Sequence, residues 1–156
     1  AAAFGLRPGS RDAEGGTAVI AVDTNVVARF YVDDPSDPEA ARQRPIARMV
    51  FESSAAIFVP VTVVLELEWV LRAFYGFAAR DFARIIEHLA GLPHVTIEAR
   101  AIVLAALADH VRSLDFADAL HLRASSPCEE LLTFDDRRFA RRARRLRLAP
   151  AVRVPA

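Results

Sequence analysis

The stretch AVIAVDTN, residues 18–25, decides the fold class of this chain. Its first five residues form a short apolar run, which is typical of a strand buried on both faces of a parallel sheet. The run ends abruptly in Asp23, Thr24 and Asn25, and a helical pattern follows over residues 26–31. A buried strand that leads directly into a helix predicts an α/β domain.

The remainder of the chain repeats this alternation of short strands and helices. Further strands are predicted at residues 57–59, 95–97 and 131–133. Further helices are predicted at residues 38–54, 60–72, 79–89, 98–112 and 116–124. Asp37 and Pro38 are typical of a helix start, and Gly76 is typical of a helix end. The pattern predicts one domain over residues 17–156, built around a short, mainly parallel sheet.

The composition excludes several classes of protein. The 156 residues are 53% apolar and 26% charged, which indicates a globular domain rather than a disordered chain. No apolar run reaches the roughly eighteen residues of a membrane span. The single cysteine, Cys128, excludes an internal disulfide and a cysteine-based zinc cluster. We therefore expect a soluble, cytoplasmic protein with no membrane partner. Residues 1–16 show no periodicity and no secretory signal, and we interpret them as a disordered leader or a remnant of protein expression.

The net charge is zero, but the charges are unevenly distributed. Residues 136–156 hold eight arginines and one acid, net +7, whereas the first 135 residues carry −7. All 20 basic residues are arginine, a bias that a genome rich in G and C explains as well as any function does. Zero net charge argues against a protein that coats nucleic acid by bulk electrostatics. It leaves room for an acidic site beside a basic patch.

Acidic residues lie at the carboxyl ends of two of the predicted strands, directly after the first strand and one residue after the other. Asp23 follows the first strand, and Asp135 with Asp136 follows the strand at residues 131–133. Ligands of open α/β sheets bind at the carboxyl ends of the strands, where a carboxylate favours a cation or a hydrogen-bond donor. Each of these aspartates could equally serve only as a helix cap or a turn residue.

Another acid, Glu66, lies within the helix predicted at residues 60–72. It shares a helix face with Val63 and Val70, where a charged acid is costly unless it pairs with an arginine or binds metal. Glu68 lies roughly 200° around the helix from Glu66 and is predicted to face solvent. The inward stripe of this helix is predicted to run as far as Phe74.

Asp115 and Asp118 lie three residues apart at the start of the helix predicted at 116–124, so they share one helix face. Asp115 is the natural N-cap, and Asp118 is the better site candidate. His121 is the histidine near this pair, but a lone histidine on a partly apolar helix is more often a packed or surface residue. The HExxH, P-loop, GxGxxG and GxSxG motifs are absent. An oxygen-only ligand set suits Mg²⁺ or Mn²⁺ rather than zinc.

Four segments, in order, resemble the four motifs of PIN-domain ribonucleases. They are VDTN (residues 22–25), VLELEWVL (64–71), FADALH (116–121) and TFD (133–135) followed by Phe139. The chain length and the wording LEWVL are most similar to VapC-type toxins of bacterial toxin–antitoxin pairs. The resemblance implies a three-layer α/β/α sandwich with a short, mainly parallel central sheet.

The resemblance also implies a metal-dependent endoribonuclease that hydrolyses RNA phosphodiester bonds with one or two Mg²⁺ or Mn²⁺ ions. The implied metal ligands and catalytic residues are Asp23, Glu66, Asp118 and Asp135. Asp115 matches an accessory acid, and Asp136 is the alternative to Asp135 at the family's variable fourth position.

Substrate contacts are expected beside these acids. Thr24 and Asn25 could hydrogen-bond RNA near the metal, and Arg137 and Arg138 begin a basic segment that we predict to be one helix. The further arginines of that helix are Arg141, Arg142, Arg144 and Arg145. The alternative for this segment is a solvated basic face or a dock for an acidic partner.

Two protein partners follow from the resemblance alone. A cognate antitoxin is expected to insert a segment over the site, and a homodimer is expected. The aromatic residues Trp69, Phe74, Tyr75 and Phe77 are candidates either for the dimer interface or for the core.

Two alternatives to a ribonuclease stay open. The first is a non-catalytic binding module whose acids are helix caps and salt-bridge partners. The second is a phosphatase-type hydrolase with Asp23 as nucleophile, although that chemistry usually requires a second aspartate two residues later, where this chain has Asn25.

Overall fold

The computed structural model describes residues 18–155. The strands are β1 (Val19–Ala21), β2 (Ala56–Val59), β3 (Val95–Ile97), β4 (Glu130–Leu132) and β5 (Ala151–Arg153). The helices are α1 (Thr24–Tyr31), α2 (Pro38–Ser53), α3 (Val61–Tyr75), α4 (Ala79–Gly91), α5 (Arg100–Val111), α6 (Phe116–Ala124) and α7 (Arg141–Arg145). A π-helical turn, Asp136–Ala140, directly precedes α7. The expectation for residues 1–16 lies outside the described residues.

The strands run parallel in two groups. In the first, β2 lies between β1 and β3, with Ile57 opposite both Ile20 and Val95. In the second, β4 pairs with β5, and Leu131 lies opposite Val152. Parallel neighbours need long crossover connections, which the helices supply. The predicted α/β class with a short parallel sheet is therefore confirmed.

The ends of the helices follow from local chemistry. Asp37 caps α2 by accepting a hydrogen bond of 2.9 Å from the Glu39 N–H, and Pro38 occupies the first helical position, as predicted. Helix α3 starts after a proline and has no cap of its own, but the Glu98 carboxylate accepts the Val61 N–H at 2.8 Å. It ends at Gly76, whose φ of +67° is left-handed, also as predicted.

The helices pack in two sets around the sheet. Helix α1 contacts α2 and α3, whereas α5 contacts α4 and α6. One continuous core joins these sets, and its largest fully buried side chains include Ile57, Leu67, Leu71, Phe82, Ile86, Leu89, Phe116 and Leu122. None of the helices in the described part of the chain combines the length and apolar character that a membrane span requires.

The prediction that the first strand is buried on both faces is wrong. Val19 is 65% exposed, and all three residues of β1 are accessible to solvent. The reason is the order of the strands: β1 lies at the edge of its sheet, and β2 is its one paired neighbour among residues 18–155. The apolar run of β1 therefore lies at the edge of the sheet rather than at its centre.

The basic segment is not one helix. The Ala140 N–H donates to the Asp135 carbonyl five residues back, which widens the first turn into a π-helix before α7 begins. Single π-helical turns are frequent at functional sites. This π-helical turn places Phe139 and Ala140 in the core and leaves the neighbouring arginines exposed.

Candidate active site

A cleft of about 570 Å³ lies where α3, the start of α6 and the π-helical turn meet. Acidic and basic side chains line it together. The acids are Asp115, Asp118 and Asp135, and the basic residues are Arg72, His110, Arg138 and Arg142. Three of the acids that the sequence indicated are thus brought to one place, although they lie up to 20 positions apart in the chain.

Asp118 is the acid whose electrostatic environment is most unusual. Its carboxyl is half-buried in the first turn of α6, and no donor among the described residues is bonded to it. Burial, followed by the negative charges of Asp115 and Asp135, raises the pKa of the Asp118 carboxyl above its ordinary value. The nearby His121 and Arg142 oppose this effect without cancelling it. A site that crowds carboxylates in this way favours a divalent cation.

The neighbouring acids act as helix caps and keep an oxygen free. Asp115 accepts the N–H groups of Ala117 and Asp118 through Oδ1, at 3.0 and 3.4 Å. Asp135 accepts the Arg138 N–H through Oδ1 at 2.8 Å. Within residues 18–155, neither Oδ2 atom receives a hydrogen bond. Capping therefore orients each carboxylate and leaves one oxygen available to a ligand.

Thr24 joins the first motif to the second. Its side chain is 5% exposed, and its hydroxyl donates to Oε2 of Glu66 on α3. Asp23 directly precedes Thr24 and caps α1, because its Oδ1 accepts the Val26 N–H at 3.1 Å. Asp23 lines another cavity, of about 350 Å³, between α1 and α2, and neither Asp23 nor Glu66 is among the residues that line the cleft around Asp118.

The two glutamates of α3 differ in burial in the opposite sense to the prediction. Glu66 is exposed, whereas Glu68 is 5% exposed and bonded to Arg72. The buried face of α3 centres on Val64 and Leu71. Glu68 lies on this face, four residues after Val64 and three residues before Leu71. The prediction that Glu68 faces solvent is wrong, because it took Glu66 to lie on the inward face and placed Glu68 roughly 200° away from it, whereas Glu66 is exposed.

The predicted accessory acid Asp136 and the predicted substrate contacts lie in different places in the structure. Asp136 forms an ion pair of 2.7 Å with Arg144, so its carboxylate is already engaged. Arg138 lines the cleft, and Asn25 lines the cavity beside Asp23. Arg137 is exposed outside both sets of lining residues.

Sequence reasoning did not identify Arg72 or His110, which also line the cleft, whereas Arg142 belongs to the basic segment that was expected to contact RNA. Arg142 donates through Nη1 to the Ser113 carbonyl, and His110 lies 3.7 Å from Glu68, measured from Nε2 to Oε1. The spacing of four residues between Glu68 and Arg72 was the available signal for Arg72. His110 comes from α5, and no local pattern connects it with the site.

The carboxylates fit a hard cation in their chemistry, since all the donors are oxygens. As they are placed, no three Asp, Glu, His or Cys side chains of residues 18–155 converge on one point at ligand distance. The cap residues Asp115 and Asp135 nevertheless line the same cleft as Asp118. Each of these three carboxylates keeps an oxygen that accepts no hydrogen bond within residues 18–155.

Comparison with known proteins agrees with this architecture. The family model of the PIN domain matches residues 20–145. A search of curated proteins finds no match. PIN domains are in general nucleases that use divalent metal ions. Since the match covers most of the chain, including β1, α3, α6 and the π-helical turn, the chain belongs to the PIN domain family.

Proposed function

We propose that this protein is a divalent-metal-dependent endoribonuclease. The observation that carries the proposal is the cleft in which Asp118 is crowded by Asp115 and Asp135, in a chain of the PIN domain family. Carboxylates that repel one another and phosphate need a cation before they can act on a phosphodiester. Arginines that line the same cleft supply the positive charge that an RNA backbone requires.

The proposed ligands of Mg²⁺ or Mn²⁺ are Asp118, Asp135, Glu66 and Asp23. When bound, such a cation lowers the pKa of a water molecule and stabilises charge on the scissile phosphate. Asp115 orients the start of α6 and adds negative charge beside Asp118. Thr24, which is buried against Glu66, acts in this proposal on the position of that carboxylate.

RNA is held by the basic and polar groups around these acids. Arg138 lines the cleft, and its backbone N–H donates to Asp135, so a hydrogen bond joins the proposed ligand to the residue of the proposed phosphate contact. Arg137, which is exposed, and Asn25, which lines the cavity beside Asp23, are the further proposed substrate contacts. The basic segment lies within residues 136–156, which hold eight of the 20 arginines and carry a net charge of +7.

We also propose the toxin role of a VapC-type protein. The supports are the chain length and the motif wording around Trp69. In this role a cognate antitoxin covers the acidic cleft, and an arginine of its inserted segment pairs with the carboxylates. The proposal includes a homodimer through the exposed aromatic residues of α3.

Two observations bear on the alternatives. Asp23, Asp115 and Asp135 are helix caps, as a binding module requires, but their second oxygens stay free of donors within residues 18–155. A phosphatase-type nucleophile at Asp23 lacks the second aspartate, since Asn25 occupies that position. The ribonuclease is therefore the function that the site supports best.

The deciding experiment incubates the purified chain, free of any partner, with a mixed RNA pool in Mg²⁺, Mn²⁺ or EDTA. Asp118→Asn is purified identically, and Glu87→Gln, an exposed acid on α4 outside the cleft, is the matched control. We expect cleavage by the wild type and Glu87→Gln in Mg²⁺ or Mn²⁺, and none in EDTA or with Asp118→Asn.

The other results have distinct meanings. Equal cleavage by all three proteins indicates a contaminating nuclease. Absence of both cleavage and stoichiometric Mn²⁺ binding rejects the ribonuclease and favours the binding module. Trapping of a phosphorylated Asp23 favours the phosphatase.

A further inference from the structure

Arg72 reaches the acidic cleft from α3, although it belongs to none of the four motif positions that hold acids. It lines the cleft together with Asp115 and Asp118. Its Nε lies 2.8 Å from Oε1 of Glu68, and its Nη2 lies 3.4 Å from Oε2 of the same carboxylate. The guanidinium is thus held from one side at the wall of the proposed catalytic cleft.

The partner that holds Arg72 is buried, which separates this pair from an ordinary surface salt bridge. Arg42 and Glu39 form such a surface pair, in which both side chains are exposed. Glu68 instead lies in the interior, where a carboxylate is costly unless its bonds are good. A contact of this kind restrains the arginine, because the buried carboxylate cannot exchange its partner for water.

His110 reinforces this restraint from a second helix. Its Nε2 lies 3.7 Å from Oε1 of Glu68, and its Nδ1 lies 2.7 Å from the Leu114 carbonyl oxygen. The Leu114 carbonyl therefore orients the imidazole, and the imidazole lies beside the carboxylate that holds Arg72. Helices α3 and α5 both contribute to the position of one guanidinium.

The remaining donors of Arg72 are available to a ligand. A guanidinium has five N–H donors in a planar fork, and Glu68 accepts from Nε and Nη2. No other acceptor in residues 18–155 is bonded to Arg72. An arginine fork matches the oxygens of a phosphate group, and half of this side chain is exposed to the cleft.

We propose that Arg72 binds a phosphate of the RNA substrate, and that the buried Glu68 is the positioning residue that orients its guanidinium. The inference rests on the proposed ribonuclease function and adds a substrate contact outside the four motif acids. Phosphate bound by Arg72 would lie in the cleft that the carboxylates and Arg138 also line, so two arginines would contact the strand within one cleft.

The test measures single-stranded RNA binding over a range of salt concentrations in the inactive Asp118→Asn background, which prevents cleavage. Adding Arg72→Gln is expected to weaken binding about 10- to 100-fold. Loss of one phosphate contact should also reduce the slope of log affinity against log salt by about 0.7. Arg84→Gln, an exposed arginine of α4 paired with Asp81, is the matched control and should change neither quantity.

A double-mutant cycle tests the role of Glu68. Glu68→Gln keeps the side-chain volume and is expected to weaken RNA binding when Arg72 is present, and to have no further effect when Arg72 is already Gln. A purely structural role of Glu68 would instead lower the melting temperature and affect binding equally in both backgrounds. Arg72→Lys, which keeps the charge without the fork, should retain the salt slope with reduced affinity.

The outcomes separate this inference from the function on which it rests. If the wild type cleaves RNA while Arg72→Gln and Arg72→Lys bind with unchanged affinity and slope, Arg72 is not a phosphate contact. If Glu68→Gln weakens binding equally in both backgrounds, the positioning role is wrong. If the wild type neither cleaves nor binds RNA, the ribonuclease and the Arg72 contact are both rejected.

Discussion

At the scale of single residues, the carboxyl of Asp118 opposes folding once it is charged. Its pKa is higher in the folded chain than the value of 3.8 that an unperturbed aspartate has, because of burial and of the charges of Asp115 and Asp135. The folded state therefore binds more protons than the unfolded state between these two pKa values. Stability falls as the pH rises through this window and stays lower above it.

Asp118→Asn removes this charge, and we expect it to raise the melting temperature of the chain in EDTA at pH 7. Well below pH 3.8 the Asp118 carboxyl of the wild type is protonated in both the folded and the unfolded state, so the difference between the two proteins should vanish there. Cleavage of RNA by this variant should fall at least about 100-fold. Thermal denaturation between pH 3 and pH 8 measures the first effect. An equal or lower melting temperature at pH 7 would show that the crowding of carboxylates is absent in solution.

Thr24 provides a second residue-scale prediction, because its buried hydroxyl bonds Glu66 across two helices. Thr24→Val keeps the shape but removes the donor, and we expect about 1 kcal/mol of lost stability together with reduced cleavage. Thr24→Ser keeps the hydroxyl and is the matched control. Urea denaturation and single-turnover cleavage check the two effects. Full activity of Thr24→Val would mean that Glu66 does not need this bond.

At the scale of elements, two helices end at glycines that differ in backbone conformation. Gly76 ends α3 with a φ of +67°, whereas Gly91 is the last residue of α4 and has no left-handed φ. A Cβ at either position meets no atom within 4 Å, so only backbone conformation distinguishes the two sites.

The backbone difference predicts substitutions of opposite sign. Gly76→Ala forces a left-handed conformation on alanine and should reduce stability by about 1 kcal/mol. Gly91→Ala should increase stability by up to about 0.5–1 kcal/mol, because alanine loses less conformational entropy in a helix. Urea denaturation of the two variants side by side checks the pair. Equal effects in both would contradict the assignment of the turn after α3.

At the scale of the whole molecule, α3 presents aromatic side chains on both the inner and the outer surface. Trp69 is 51% exposed and Phe74 is 69% exposed, and their rings pack edge to face at 5.3 Å. The prediction that the inward stripe reaches Phe74 is wrong, since Leu71 is the last buried residue of α3 and Phe74 is exposed. Tyr75 and Phe77, by contrast, pack against the core. An exposed pair of large aromatic side chains is suited to an interface.

The proposed homodimer therefore predicts the behaviour of the double variant Trp69→Ser/Phe74→Ser. We expect the wild type to sediment as a dimer of the 17.1 kDa chain and the variant as a folded monomer. Met49→Ser, which alters an exposed apolar residue of α2, should remain dimeric. Sedimentation equilibrium with circular dichroism distinguishes dissociation from unfolding. A monomeric wild type would reject the homodimer.

The elements of this fold were predictable where the signal is local. Asp37, Pro38 and Gly76 mark helix ends by their own backbone chemistry, and β3 and α6 occur at the residues predicted. The position of β1 at the sheet edge was not predictable, because strand order depends on pairing between distant segments. The π-helical turn was missed for a related reason: the burial of Phe139 and Ala140 determines where it lies.

The sequence by itself determined the class of the fold, the acids that follow strands and begin helices, and the oxygen chemistry of the proposed metal site. These properties follow from residue type and short spacing, which act within a few turns of the chain. The tertiary structure decided that Glu68 rather than Glu66 is buried, that Thr24 bonds Glu66, and that Arg72 and His110 reach the cleft. It did so because burial and long-range contacts depend on how the helices pack, and the sequence pattern of one helix does not specify its neighbours.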